Sequence, residues 1–226
     1  MFYLLRHTWR TAMQLWAIKA FEKNSCGEGT QVGGRTQISK LGKISVGRWS
    51  VIGEDSWLNN NSPNSAIWIG NFCLLGRRNF INAGASVIIG DYTLTGPDCM
   101  FLGSDHHWGD PSKPYIMTGS SADQKISIGA NVWLGAGVKV MKGVAIGHGA
   151  VVGANALVTS DIPPFSLAYG MPAKVVKHYS FTEKRWLAVS ERPLDPYPEE
   201  SEYLEVLRKN RTFVPPEAGG VSLVDY

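Results

Sequence analysis

From residue 128 an aliphatic side chain stands at every sixth position: Ile128, Leu134, Val140, Ile146, Val152 and Val158. Four places after each comes a small or branched apolar one: Val132, Val138, Val144, Ala150, Ala156 and Ile162. Hexads in the same style begin upstream at Val46 and Ile52, then at Ile69, Leu75 and Ile81. After a slip of two residues they continue at Ile89 and Thr95. A period of six does not fit the 3.6-residue helix, and the segments are rich in Val, Ile and Gly. Six residues make a short strand and a corner, with the aliphatic group inward. One hexad buries little, but stacked coils share a continuous core. The pattern predicts an all-β solenoid.

Glycine accounts for 25 of 226 residues, and ten of these occupy the second position of a hexad, from Gly47 to Gly153. The sequence reading is that glycine eases the corner, where a β-carbon strains the backbone. Cys73 and Cys99 fall at fifth positions, where a small apolar group is wanted, and read as core filler. With Cys26 they form no CxxC pair, so no disulfide framework or zinc ribbon is expected.

The net charge of +3, without a basic cluster, points away from nucleic acid. No apolar run approaches the length of a membrane span. Arg6 and Arg10 interrupt any signal-peptide core, which makes the cytoplasm the expectation.

Residues 1–29 read as an N-terminal amphipathic helix. Phe2, Leu5, Trp9, Met13, Trp16 and Ala20 lie near helical spacing, and such a helix suits a cap over the open solenoid end. A second reading of residues 2–23 is peripheral attachment to a membrane surface, since Trp and Phe accompany Arg and Lys. The solenoid is expected over 30–178. Residues 179–226 should hold helices and an extended tail. Ser180-Phe-Thr-Glu183 has the form of a capping box that opens a helix through about Ser190, and residues 199–209 look helical again.

The hexads stop near residue 103 and resume at 126. The loop 104–125 between them holds Asp105, His106, His107, Trp108 and Asp110. Long interruptions of a compact domain are often functional. Histidine is the side chain best suited to general-base work near neutral pH. No GxSxG nucleophile motif is present, which favours direct transfer over an acyl-enzyme.

The hexads resemble those of the hexapeptide-repeat acyltransferases. That resemblance implies a left-handed parallel β-helix, use of acetyl-CoA, and a homotrimer with sites between subunits. No metal is expected, since adjacent histidines point differently and no third ligand is evident nearby. Asp105-His-His-Trp-Gly-Asp-Pro111 looks like the loop of capsule and exopolysaccharide (colanic-acid-type) sugar O-acetyltransferases. It places the general base on His106, with His107 as second choice. A carboxylate nearby, Asp105 or Asp110, is suited to orient the imidazole and stabilise its charged form. Residues 131–136 are similar to the family segment in which Trp133, Gly135 and Ala136 line the pantetheine arm. By the same resemblance Ala154 and Thr159 contact CoA, and Lys174 and Lys177 lie near its phosphates. Asn82, within Asn79-Phe-Ile-Asn82, matches a sugar-contacting position, and Trp108 is placed on the acceptor side with it. The function so implied is O-acetylation of a sugar hydroxyl in surface polysaccharide biosynthesis. The alternatives are N-acetylation of an amino sugar or nucleotide-sugar, a non-catalytic scaffold, and a metal-dependent hydratase on the same fold.

Overall fold

The computed structural model describes residues 25–191 and 195–210. Of the helix expected over residues 1–29, residues 1–24 lie outside them, and residues 25–29 are not helical but open the first coil with the strand Ser25–Cys26. The tail from 212 also lies outside them. The described chain winds into a left-handed parallel β-helix of about seven turns with one C-terminal helix. Each complete coil contributes one strand to each of three faces. The first face runs from Ser25–Cys26 through Lys43–Val46, Ala66–Ile69, Ser86–Ile89 and Lys125–Ile128 to Ala145–Ile146. The second and third faces follow in the same way, beginning at Gln31–Val32 and Gln37–Ile38. Strand pairing along each stack of coils is parallel and in register, for example Met100 beside Phe80 on one side and Lys139 on the other.

The hexad phase sets the core. Ile69, Leu75, Ile81, Ile89, Phe101, Ile128, Leu134, Val140 and Ile146 are all buried, as are the fifth-position residues Val132, Val138 and Ala150. Cys73 and Cys99 are buried among them. Burial pushes the Cys73 thiol up to about 12 and that of Cys99 to about 11. Both are inert filler in this environment.

The structure corrects the reason for the glycines. The left-handed backbone falls on the fourth position of the hexad, and most residues there are not glycine: Tyr92 has φ 62°, Asn131 52° and Asn155 58°. At the second position the constraint is the neighbouring coil. A β-carbon on Gly90 would lie 2.6 Å from the carbonyl carbon of Gly129 and 2.6 Å from the amide nitrogen of Ala130. Backbone stacks directly on backbone there, and any side chain would force the coils apart. At the second corner, Arg35 and Arg78 occupy fourth positions and make bidentate pairs with Asp55 and Asp98 of the next coil. These hold both carboxyls below their usual range.

The C-terminal region also departs from expectation. Ser180 does accept a hydrogen bond from the Glu183 amide at 3.1 Å, as a cap would. No helix follows. Ala173–Ser180 and Arg185–Ala188 form antiparallel strands that extend the second face from Ser166–Gly170. The local cap signal is satisfied by a tight turn, and Leu187 is buried through the extended pairing. Helix Glu200–Asn210 lies along the first corner. Glu200 accepts the Ala130 amide at 2.5 Å, Tyr203 bonds Asn131, and the Tyr203 ring meets Phe165 edge-on with centroids 4.8 Å apart. The buried His148 reaches the Pro198 carbonyl at 2.9 Å, which fixes the chain leading into the helix.

Candidate active site

The loop leaves the solenoid at its third corner, after Met100–Leu102 on the third face and before Lys125–Ile128 on the first. Its base is a two-stranded antiparallel hairpin, Asp105–His106 against Ser120–Ser121. A single turn of 3₁₀ helix at Tyr115–Met117 shapes its far end. That end is bare of cover: Trp108 is 77% exposed, Ile116 86% and Met117 78%.

His106 is exposed, with Nδ1 3.1 Å from the carbonyl oxygen of Gly119. A carbonyl only accepts, so the bond assigns the proton to Nδ1 and leaves the lone pair on Nε2. A histidine held this way is ready to take a proton from a bound hydroxyl or amine. His107 is held through its backbone instead: its carbonyl accepts from Thr118 Oγ1 at 2.6 Å and its amide donates to Gly119.

Neither carboxylate expected to orient the imidazole contacts it. Asp105 pairs with Lys142 at 3.3 Å. Asp110 accepts from the amide and hydroxyl of Ser112 and pairs with Lys113 at 3.2 Å. Those bonds hold the Asp110 carboxyl below its ordinary range. A peptide carbonyl, Gly119, does the orienting, and no motif announced it.

Asn82 lies on the third face beside the loop root. Its Nδ2 donates to Ser104 Oγ at 3.1 Å, and its Oδ1 accepts from Asn59 at 2.9 Å. Asn61 also bonds Ser104. No sequence motif marks Asn59, Asn61 or Ser104. The register Asn59 beside Asn82, set by the hexad phase, was the available signal.

The residues matched to CoA divide into two groups. Thr159 follows the third-face strand Leu157–Val158 and so shares the third corner with the loop. Trp133 points outward from the second face, 54% exposed, in an apolar row with Leu94 and Val151. Gly135, Ala136 and Ala154 sit at the second corner, where a β-carbon on Gly135 would meet the Ala154 amide at 2.6 Å. Lys174 and Lys177 are exposed on the hairpin that extends the second face. In a triangular prism the second face lies opposite the third corner. One chain therefore carries His106 and Trp133 on opposite sides.

Among the described residues no three His, Cys, Asp or Glu side chains gather as a metal site would. No described helix is long and apolar enough to cross a membrane.

A prism of stacked hexads with one long loop at a corner is a left-handed parallel β-helix. Residues 125–160 match the family model described as bacterial transferase hexapeptide (six repeats). A probable acetyltransferase of Mycobacterium tuberculosis is 33% identical over 139 residues, 62% of this chain and 45% of that protein. The chain thus spans less than half the length of that relative. The fold is shared with AntD, an N-acyltransferase from Bacillus cereus solved with dTDP and coenzyme A. That match has a TM-score of 0.60 and 18% identity, and covers 80% of this chain and 91% of AntD. A second AntD structure, with dTDP-4-amino-4,6-dideoxyglucose and coenzyme A, matches at a TM-score of 0.59 and 16% identity over 85% and 96% of the two chains.

Proposed function

We propose that this chain is an acyltransferase that moves an acetyl group from acetyl-CoA to a hydroxyl of a sugar, with His106 as general base. The observation that carries the reading is the exposed His106, whose Nδ1 is committed to the Gly119 carbonyl. The hexapeptide repeat of bacterial transferases over residues 125–160 supports the choice of reaction. Nε2 takes the proton of the acceptor hydroxyl as its oxygen attacks the thioester carbonyl. The carbon–sulfur bond then breaks, and the proton passes to the departing thiolate. Backbone N–H groups are suited to hold the oxyanion formed on the way.

The acyl donor lies along Trp133, Gly135, Ala136, Ala154 and Thr159, with Lys174 and Lys177 toward its phosphates. Asn82 and Trp108 face the acceptor. Because His106 and Trp133 occupy opposite sides of one chain, the working form is a homotrimer with each site shared between neighbours. The setting is the cytoplasm, in the building of a surface polysaccharide. N-acylation of an amino sugar is the second reading, favoured by the amino-sugar nucleotide bound to AntD.

The test is thermal unfolding with and without acetyl-CoA, followed by a thiol-release screen across sugars and nucleotide-sugars with mass detection of the product. A ligand at 100 times its Kd stabilises by about 2.7 kcal/mol, a readily visible rise in Tm. No protection by acetyl-CoA would overturn both readings. An ester product supports the first, and an amide product replaces it with the second.

A further inference from the structure

A hairpin two residue pairs long has little stability of its own, and the one carrying His106 is stapled at its base from outside. Lys142 projects from the third corner one coil above the loop root, because Leu102 stacks on Met141 and the residues that follow leave the same corner. Its ammonium is 3.3 Å from the Asp105 carboxylate and donates to Ser121 Oγ at 2.8 Å. Asp105 and Ser121 are directly opposed across the hairpin. One side chain therefore grips both strands, and the next opposed pair is His106 with Ser120. Lys142 is only 24% exposed, so its geometry is more restricted than that of a free surface lysine.

We propose that Lys142 is a positioning residue for His106: it clamps the two hairpin strands to the solenoid and fixes where Nε2 points. The link to turnover rests on His106 being the base, whereas the clamp itself stands on the contacts alone. The same grip explains why Asp105 does not orient the imidazole, since Lys142 holds its carboxylate. Ser104, bonded to Asn61 and Asn82, supplies a second fixture at the root of the first hairpin strand.

The experiment compares Lys142→Met, which keeps the stem and removes the charge, with Lys142→Arg in the full-length protein. Amide hydrogen exchange is followed in peptides covering 104–122, with Lys125–Ile128 as an internal control. Faster exchange of the hairpin in Lys142→Met, about tenfold or more, with the control unchanged, is the expected result. Hairpin exchange equal to wild type overturns the clamp, whether or not any acceptor is known. With an acceptor in hand, Lys142→Met should lower kcat roughly 10- to 100-fold, as about 1 Å of misplacement does. The KM for acetyl-CoA should stay within about twofold, and Lys142→Arg should recover most of kcat. A loss in KM with kcat intact, or no recovery by arginine, overturns the positioning role. A wild type that neither binds nor consumes acetyl-CoA instead defeats the proposed function and leaves the exchange result to decide the clamp.

Discussion

The imidazole of His106 and the carbonyl of Gly119 are joined across the ends of one short hairpin, Nδ1 to oxygen at 3.1 Å. They are 13 positions apart in sequence, and the antiparallel pairing of Asp105–His106 with Ser120–Ser121 brings them together. If Nε2 is the base, His106→Ala should cut the transfer rate by about 10²- to 10⁴-fold, the usual contribution of a positioned acid–base group. Acetyl-CoA should still raise the Tm of the variant. His107→Ala, which removes a side chain with no hydrogen bond among the described residues, should retain most of the rate. Steady-state kinetics on the two variants check both statements, and the reverse pattern moves the base to His107.

Trp133 and His106 lie on opposite sides of the same prism, so each site should draw on two chains. Neither His106→Ala nor Trp133→Ala should turn over efficiently alone. Mixed and reassembled, they should regain activity, because some interfaces then pair an intact His106 with an intact Trp133. Mixing that leaves activity at the level of the separate variants excludes a shared site. Light scattering on the wild type gives the assembly size independently.

The second and fourth hexad positions should respond to opposite substitutions. Gly90→Ala places a β-carbon 2.6 Å from the backbone of the coil above, with no flexible neighbour to yield. Chemical denaturation should show a loss of about 3 kcal/mol or more, at the upper end of point-mutant effects. Asn155→Gly, at an exposed position with φ 58°, should change stability by less than about 1 kcal/mol.

The three thiols should react in order of access. Cys26 is half-buried, its thiol raised chiefly by desolvation, whereas Cys73 and Cys99 are enclosed in the core. A thiol reagent at neutral pH should modify Cys26 first and reach the other two only on unfolding. Burial favours the neutral thiol, so the folded state has the higher pKa. That stabilisation is complete below the usual value of 9.0 and is lost as pH rises from there through about 11 for Cys99 and 12 for Cys73. Denaturant midpoints that stay level from pH 8 to 11 in the wild type, with no difference from Cys73→Ala, contradict this account.

Much of the architecture is legible in the sequence. The hexad phase placed Ile128, Leu134, Val140 and their upstream counterparts inside the core, and the break after residue 103 located the loop with His106. What misled was local. Ser180 to Glu183 carries a cap that suits a helix or a turn equally, and only the edge left open by Ser166–Gly170 decided for strands. The positions of the glycines are legible but their cause is not, because contact between coils is not visible within one coil.

Sequence by itself determined the coil: which residues face inward, where the repeat breaks and which residue types the break contains. Those are properties of a six-residue period and need no partner. Tertiary structure decided what meets across coils. The stacking of Leu102 on Met141 brings Lys142 to Asp105 and Ser121. The hairpin gives His106 the Gly119 carbonyl instead of a carboxylate, and the triangular winding sets Trp133 opposite His106. Each of these depends on the summed lengths of corners and insertions between distant residues, a sum that no local pattern encodes.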